Sequence, residues 1–387
     1  MTQTDDRVRS ILYVQYAAPG VYPPIERSAR IFKQHGWKVR FLGVRALGQS
    51  AKLISSLHSE DDIEYHVHTP GGLRALRSYL RFWWRAWQRV RREKPDVVYL
   101  SDALSYPAGW LISLTCRAIT VQHEHDTPLV LSGLHRLIAP FRKRFIRRAD
   151  LRINPQADRL RLVQETTGCG EIRLVYNCPS VTELPPDRPF ADKTDGLVLW
   201  HHGSLGAGRL PLTIIDALAD TPNDVRLEFA GYETVNTKGF VDSVLTRARE
   251  LGIEHRVTFH GAMRRDALYA AASRAHVGLS VFVRKFAEPM VGATNKPFDF
   301  LGCTMALLVN DTAEWSDFFG AHGVAATCNP EDSANIAAVI RGLYEDRARL
   351  ADMATEGRRL IETDWNYEAQ FAPVLAELTA LVDKRAR

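Results

Sequence analysis

Apolar runs of strand length alternate with stretches of helical periodicity along most of the chain. In the first 177 residues, six runs rich in Val, Ile, Leu and Tyr predict buried strands. They are SILYVQY (10–16), WKVRFLG (37–43), DVVYLS (96–101), AITVQHE (118–124), ADLRIN (149–154) and IRLVYN (172–177). This alternation is typical of βα units, which build a parallel sheet with helices on both faces.

The alternation stops once and then begins again. Residues 181–195, VTELPPDRPFADKTD, are rich in proline and charge and have no periodicity, which predicts a linker. Beyond the linker, further strand-length runs separated by helical stretches predict a second sheet. They are LVLWHHG (197–203), VRLEFAG (225–231), VTFHG, VGLSVF, ALLVND and GVAATC.

The pattern and the length of 387 residues together predict an α/β fold class with two Rossmann-like parallel-sheet domains. We place the N-terminal domain at 1–185 and the C-terminal domain at 186–365. The last segment, 366–387, has an apolar helical stripe and is expected to cross back to the N-terminal domain. Ligands of parallel sheets bind beyond the carboxyl ends of the strands, so we expect a site in the cleft between the domains.

Charge divides the chain into a basic and an acidic half. Residues 1–180 carry 28 lysines and arginines against 16 acids, whereas the remainder carries 22 against 29. The five cysteines lack paired spacing and are expected to be reduced thiols of a cytosolic protein. The start of the chain has acids in place of a basic signal region, and no apolar run is long enough to predict a transmembrane helix.

Several segments in succession resemble one known family. KPDVVYLSD, ITVQHEHDTP, IRRADLRINPQADRLRL and LVYNCP occur in the first half, and LVLWHHGSLGAGRLPLTIIDAL, VRLEFAG and NKPFDFLGCTMALLVND follow in the second. Their order is similar to that of retaining, nucleotide-sugar-dependent glycosyltransferases of family 4 type, which have the GT-B fold. The resemblance runs over nearly the whole chain. It implies an acceptor-binding N-terminal domain and a donor-binding C-terminal domain.

The resemblance gives a role to the segment VGATNKPFD (291–299). A nucleotide diphosphate gains negative charge as it leaves the sugar, and fixed cations and backbone N–H groups can stabilise that charge. Lys296 begins a predicted helix where it can meet the diphosphate, and Gly292 allows close backbone approach. Thr294 or Asn295 is expected to cap the helix. In the family an acid at the position of Asp299 holds the ribose.

The second cation implied by the resemblance is Arg209, which follows the turn at Gly203 at the family's spacing. Arginine offers a bidentate fork to phosphate oxygens. Ser204 stands where the family commonly has another base, and the backbone near Gly231 and Gly261 is expected to line the base pocket. The alternative interpretation makes Lys296 and Arg209 solvated surface charges.

Some positions depart from the family pattern. Val291 occupies the place of an acid that usually precedes the ribose-binding one by eight residues, and Glu288 is a nearby substitute that is out of register. Thr304 stands where a glycine often precedes the next strand. These departures put the catalytic role of Glu288 in question.

In the first half, HEHD (123–126) ends a predicted strand, where the chemistry of this architecture lies. His123 or Asp126 is a candidate to bind the transferred sugar or to orient the acceptor hydroxyl, and the alternative is a packing role. No third ligand accompanies His123 and His125, so we expect no metal site and no cofactor other than the nucleotide sugar as co-substrate.

A strongly basic helix is predicted at 73–94, with arginines at steps of three or four and the leucines and tryptophans on the opposite side. Arg74, Arg77, Arg81, Trp84 and Arg85 are candidates for contact with an anionic membrane or a lipid-linked acceptor. The alternative is a helix packed on the sheet with solvated arginines.

The sequence therefore predicts a metal-independent, retaining glycosyltransferase that acts on a glycan or lipid-linked acceptor, in the cytoplasm or at the inner face of the cytoplasmic membrane. A nucleotide-sugar epimerase on the same fold and a non-catalytic carbohydrate- or lipid-binding relative remain as alternatives. No recognition motif supports nucleic acid as a partner.

Overall fold

A computed structural model describes residues 7–19, 22–45, 63–68, 72–125, 133–284 and 290–386. Its contacts divide the chain into two compact units, Met1–Asn177 with Gln370–Arg387, and Cys178–Ala369. Each unit is built on one parallel sheet with helices between the strands, which confirms the predicted α/β class.

The first sheet has seven strands among the described residues, in the order β3-β2-β1-β4-β5-β6-β7. Its strands are β1 Ser10–Val14, β2 Lys38–Val44, β3 Ile63–His66, β4 Val97–Leu100, β5 Ile119–His123, β6 Leu151–Asn154 and β7 Arg173–Leu174. Its helices are α1 Pro23–Gln34, α2 Gly72–Glu93, α3 Tyr106–Thr115, α4 Gly133–Arg148 and α5 Ala157–Thr167. The predicted strands are all present, and β3 is additional.

The second sheet has six strands in the part of the chain that is described, in the order β10-β9-β8-β11-β12-β13. They are β8 Leu197–Leu205, β9 Val225–Glu233, β10 Val257–Phe259, β11 Val277–Ser280, β12 Ala306–Asn310 and β13 Ala325–Cys328. The helices that follow are α6 Thr213–Ala219, α7 Phe240–Glu250, α8 Arg265–Ala272, α9 Lys296–Gly302, α10 Ala313–Trp315, α11 Ser333–Glu345, α12 Arg347–Thr363 and α13 Tyr367–Ala386.

The central strands are buried on both sides, which explains their nearly continuous apolar sequences. All residues of β4 and β12 are buried. In the first sheet the ring of Tyr13 lies between those of Phe41 and Tyr99, at centroid distances of 4.9 and 4.7 Å. Both sheets change the direction of their strand order at the first strand of the unit, and this switch point is where a doubly wound sheet opens a crevice.

The predicted linker is part of the second unit and packs on its other elements. The ammonium of Lys193 donates to the carbonyl groups of Ser273 and Ala275 at 2.9 and 2.8 Å. Thr304, at the family's glycine position, has a left-handed backbone with φ 57°, and its hydroxyl donates to Asp187 at 2.7 Å. A backbone that favours glycine is thus occupied by a threonine whose side chain is tied to the linker.

Helix α2 differs from its predicted orientation. Its buried face consists of Ser78, Tyr79, Phe82, Ala86, Arg89 and Val90. Arg89 belongs to this face because it donates to the carbonyl of Phe41 at 2.8 Å and pairs with Glu93 at 2.9 Å. Leu80 and Trp84 are 46% and 53% exposed, on the side of the exposed arginines. The predicted separation of the arginines on one side from the leucines and tryptophans on the opposite side was therefore wrong, and so was the alternative in which every arginine is solvated.

From Gln370 onward, α13 belongs to the first unit, where Asp383 accepts from Arg9 at 2.8 Å and Phe371 packs edge-on against Phe32. Within the described residues, no helix is long and apolar enough to cross a membrane.

Candidate functional site

Three glycines lie side by side at the carboxyl edge of the second sheet. Gly203 of β8 pairs with Gly231 of β9, and the N–H of Gly231 donates to the carbonyl of Gly261 at 2.8 Å. A β-carbon on Gly231 would lie 1.8 Å from the oxygen of Gly203, and the φ of Gly231 is 144°. Only glycine fits there, and the result is an edge of bare backbone beside the switch point between β8 and β11.

Lys296, the first residue of α9, reaches this edge. A β-carbon on Gly203 would lie 3.0 Å from Cε of Lys296, so the lysine stem lies against the glycine. The ammonium lies 3.2 Å from Nε2 of His201 and 5.9 Å from the ring centre of Phe282. Burial, and then the charge of Arg209, lower the pKa of Lys296 to about 7. The charge of Arg209 therefore disfavours the protonated form of Lys296.

Arg209 follows the turn after β8 and is exposed. Its guanidinium donates to the hydroxyl of Ser204, which places the two predicted donor-binding residues in contact. An exposed arginine next to a half-buried lysine is an arrangement that attracts a polyanion, because a bound phosphate would relieve the repulsion between them.

Asp299 lies one turn into α9, and its side chain is only 12% exposed. The hydroxyl of Tyr269 donates to Oδ1 at 2.8 Å. Nε2 of His202 lies 3.6 Å from Oδ2, and Nδ1 of the same ring accepts from the indole N–H of Trp200 at 2.9 Å. The carboxylate therefore receives a hydrogen bond from Tyr269 and lies near the ring of His202 on its other oxygen.

The segment before α9 differs from prediction at its cap. Gly292 has a φ of 84°, as a glycine turn requires, and Thr294 follows it. Asn295 is the N-cap residue, but its side chain makes no capping hydrogen bond, and its Oδ1 is buried without a partner among the described residues. The expected cap by Thr294 or Asn295 is absent. Helix α9 has seven residues, so its dipole is short.

An acid does support this segment, but from another element. Oε1 of Glu314, in α10, accepts from the backbone N–H groups of Met290 and Val291 at 3.0 and 2.9 Å. Glu288, the substitute acid considered from the sequence, lies outside the described residues.

In the first unit, His123 ends β5 and is fully buried. Its Nδ1 lies 2.7 Å from the hydroxyl of Tyr99, and its ring centre lies 3.9 Å from that of His125. Tyr22 stacks on His125 at 4.8 Å. Burial lowers the pKa of His123 well below its usual value and that of His125 to about 3, so both rings are neutral. Asp126 lies outside the described residues.

No group of three acid, histidine or cysteine side chains that could hold a metal ion occurs in the described parts of the chain. Among the candidates on α2, Arg74, Arg77 and Arg81 are exposed, whereas Arg85 pairs with Glu64 at 2.5 Å.

Comparison with protein families identifies the class of protein to which this chain belongs. The model of the glycosyl transferase 4-like domain matches residues 20–178, and that of a glycosyl transferase-like domain matches residues 212–376. The chain is a glycosyltransferase. No curated protein matches its sequence significantly.

Solved structures show that this glycosyltransferase has the GT-B fold. HepE of Anabaena, in complex with UDP and glucose, is 19% identical with a TM-score of 0.74, over 96% of this chain and 100% of that one. Sucrose-phosphate synthase of Thermosynechococcus elongatus is 15% identical with a TM-score of 0.75, over 96% and 99%. WaaG, a glycosyltransferase involved in lipopolysaccharide biosynthesis, is 12% identical with a TM-score of 0.63, over 94% and 98%.

Sequence reasoning missed four side chains of the glycosyltransferase that contact the predicted residues or the segment just before them. They are His201, His202, Tyr269 and Glu314. The two histidines carried a signal, because they are polar residues at the carboxyl end of a buried strand, immediately before Gly203. Tyr269 and Glu314 carried none, since each comes from a helix far away in the sequence.

Proposed function

We propose that this glycosyltransferase transfers a sugar from a uridine diphosphate sugar to an acceptor hydroxyl with retention of anomeric configuration. The observation that carries the proposal is the position of Lys296 against Gly203, beside Arg209, at the switch point of the second sheet. HepE of Anabaena, which shares the fold, forms complexes with UDP and with UDP-glucose. Both complexes support uridine diphosphate as the leaving group.

In the proposed reaction the bond between the anomeric carbon and the diphosphate oxygen breaks. The ammonium of Lys296 and the guanidinium of Arg209 stabilise the charge that develops on the departing diphosphate. The acceptor oxygen bonds to the anomeric carbon on the same face of the sugar, and its proton passes to the departing diphosphate oxygen. The protein supplies the two cations, so the mechanism needs no divalent ion.

Asp299 is proposed to accept from the ribose hydroxyls, and the backbone at Gly231 and Gly261 to line the base pocket. In the first unit, His123 is the proposed contact to the transferred sugar. Its Nε2 is buried and has no partner within the described residues, as a side chain prepared for a polar ligand would be.

The acceptor is proposed to be lipid-linked, with the protein docked on the anionic inner face of the cytoplasmic membrane. Helix α2 supports this through an exposed apolar ridge beside its arginines, formed by Leu73, Leu76, Leu80 and Trp84. Arg74, Arg77 and Arg81 are exposed beside the ridge. An apolar ridge with adjacent cations fits a surface of acyl chains and negative headgroups.

The test incubates the protein with UDP-sugars, with and without a lipid extract as acceptor, in the presence of EDTA. UDP release that requires the acceptor, and a product with the donor's anomeric configuration by NMR, support the proposal. Conversion of the donor alone would identify an epimerase. UDP binding without release would identify a binding protein, and activity that returns only with magnesium would overturn the metal-independent mechanism.

A further inference from the structure

Two adjacent histidines of β8 contact two side chains of α9 that are proposed to bind the donor. Successive side chains of a strand point to opposite faces of the sheet, so His201 and His202 contact different residues. His201 meets Lys296, and His202 meets Asp299. These pairs join one strand to the first turn of one helix, across more than 90 residues of sequence.

The partners of His201 fix its tautomer. Its Nδ1 lies 3.1 Å from the carbonyl oxygen of Leu279, which can only accept, so Nδ1 carries the proton. Nε2 is then the acceptor, and it faces the ammonium of Lys296 at 3.2 Å. A lysine side chain has four rotatable bonds, and this hydrogen bond restricts its head group to the edge at Gly203.

The partners of His202 fix the opposite tautomer. The indole of Trp200 can only donate, so Nδ1 of His202 accepts and Nε2 carries the proton. This N–H faces Oδ2 of Asp299, which lies 3.6 Å away, too far for a hydrogen bond but favourable for the carboxylate charge. Tyr269, 4% exposed, donates its hydroxyl to Oδ1 at 2.8 Å.

We propose that the two histidines divide the donor site between them. His201 positions Lys296 for the diphosphate, whereas His202 and Tyr269 position Asp299 for the ribose hydroxyls. All three are positioning residues. The proposal rests on the proposed function, because it assigns each part of the same nucleotide to a separate set of supporting side chains.

The division has a physical reason. A carboxylate that receives one hydrogen bond from Tyr269 cannot turn freely, so its remaining lone pairs keep a fixed direction toward a pair of hydroxyl groups. An ammonium that donates to His201 keeps two N–H groups for phosphate oxygens. Loss of one support is therefore expected to weaken recognition of one part of the nucleotide and to leave the other part unchanged.

The experiment measures the affinity of three ligands, UDP, 2′,3′-dideoxy-UDP and inorganic pyrophosphate, by isothermal titration calorimetry. The variants are His201→Asn, which keeps a donor near Leu279 but removes Nε2, and Tyr269→Phe, which removes only the hydroxyl. Asp299→Asn serves as the reference for loss of the ribose contact. Thermal unfolding of each variant checks that it is folded, and each of the first two variants is the matched control for the other.

We expect wild type and His201→Asn to prefer UDP over the dideoxy analogue by the same ratio. His201→Asn should weaken all three ligands, pyrophosphate included, by about three- to tenfold, the effect of losing one hydrogen bond to a charged group. Tyr269→Phe should lower the ratio of UDP to dideoxy-UDP affinity by about three- to tenfold and leave pyrophosphate affinity unchanged. Asp299→Asn should lower the ratio at least as much.

An unchanged ratio in Tyr269→Phe would overturn the inference, since a purely structural role weakens all three ligands equally. Pyrophosphate affinity of His201→Asn equal to that of wild type would overturn it as well. A wild-type protein that binds UDP without preference for the ribose hydroxyls overturns the inference and leaves the diphosphate part of the proposed function standing. A wild-type protein that does not bind UDP overturns both.

Discussion

The ammonium of Lys296 lies 3.2 Å from Nε2 of His201, in a site where burial and Arg209 already lower the pKa of Lys296 to about 7. The histidine is neutral, because burial and the charge of the lysine lower its pKa well below the usual value. A half-buried lysine whose pKa is lowered in this way, beside a neutral acceptor, favours the binding of an anion, because the anion would raise that pKa again.

The first prediction concerns turnover. Lys296→Ala and Arg209→Ala should each lower kcat by about a hundredfold or more, the effect of removing a fixed charge from a leaving group. Arg249→Ala is the control, because Arg249 is exposed on α7 and, among the described residues, donates to Leu245 and Thr246 of the same helix. Steady-state kinetics on folded protein provides the measurement. Near-normal turnover in either site variant would contradict the proposed role.

The second prediction is proton uptake on nucleotide binding. Above pH 7 the empty site has lost the proton of Lys296, and UDP binding must restore it. Affinity should therefore fall as pH rises above 7, by up to about tenfold per pH unit for one linked proton. Calorimetry in buffers of different ionisation enthalpy measures the uptake. An arginine at position 296 stays protonated at these pH values, so Lys296→Arg should bind UDP without proton uptake. Equal uptake in this variant would show that Lys296 is not the group that takes up the proton.

The third prediction concerns the glycine edge. Gly231→Ala places a β-carbon 1.8 Å from the oxygen of Gly203, at a φ of 144°. We expect a loss of at least about 2 kcal/mol in the free energy of unfolding. Gly342→Ala is the matched control, because this exposed helical glycine has no neighbour within 4 Å. It should gain about 0.5–1 kcal/mol. Urea denaturation compares the two, and equal stability would refute the close contact.

The fourth prediction concerns acid stability. Burial lowers the pKa of His125 and His276 to about 3 and that of His123 and His201 well below 6.5. The unfolded chain therefore binds more protons than the folded one below pH 6.5, so stability falls as pH decreases from there. Each histidine contributes up to about 1.4 kcal/mol per pH unit.

His125→Phe tests that contribution, since a phenyl ring can still stack on Tyr22. Urea denaturation of this variant between pH 6.5 and 5.5 measures how the free energy of unfolding changes with pH. That change should be smaller than in wild type by the contribution of one histidine. A slope as steep as that of wild type would show that His125 is not buried as a neutral ring.

The fifth prediction concerns the ridge of α2. The double variant Leu80→Gln, Trp84→Gln should lose binding to vesicles that contain anionic lipid, because it removes apolar area and keeps every arginine. Leu114→Gln, at a residue of α3 that is 48% exposed, is the control. Vesicle co-sedimentation is the measurement. Unchanged binding by the double variant would show that the arginines, and not the apolar ridge, bind the vesicles. Absence of binding by wild type would refute the membrane contact.

Much of the fold could be predicted from the sequence because strands buried on both faces need continuous apolar runs. SILYVQY and ALLVND carry this signal within a few residues, with no information from the rest of the chain. The orientation of α2 could not be predicted in the same way. Its apolar residues cover more than one face. Arg89 is buried because its guanidinium pairs with Glu64 and Glu93 and donates to the carbonyl of Phe41.

The site likewise has a part that the sequence predicts and a part that only the structure shows. Lys296, Arg209 and Asp299 were predicted from the resemblance to a known family, which depends only on the sequence segments around them. Neither helix periodicity nor spacing could place Tyr269 on Asp299, or His201 on Lys296, because both contacts join elements that are distant in sequence.

By itself, then, the sequence determined the order of strands and helices, the two sheets and the charged residues of α9, since these depend on local pattern and burial. The tertiary structure alone decided which arginines of α2 face solvent, that the side chain of Asn295 does not cap α9, and which neighbours contact Lys296 and Asp299. Those outcomes depend on partners supplied by other strands and helices, and a hydrogen bond between distant residues leaves no local trace in the chain.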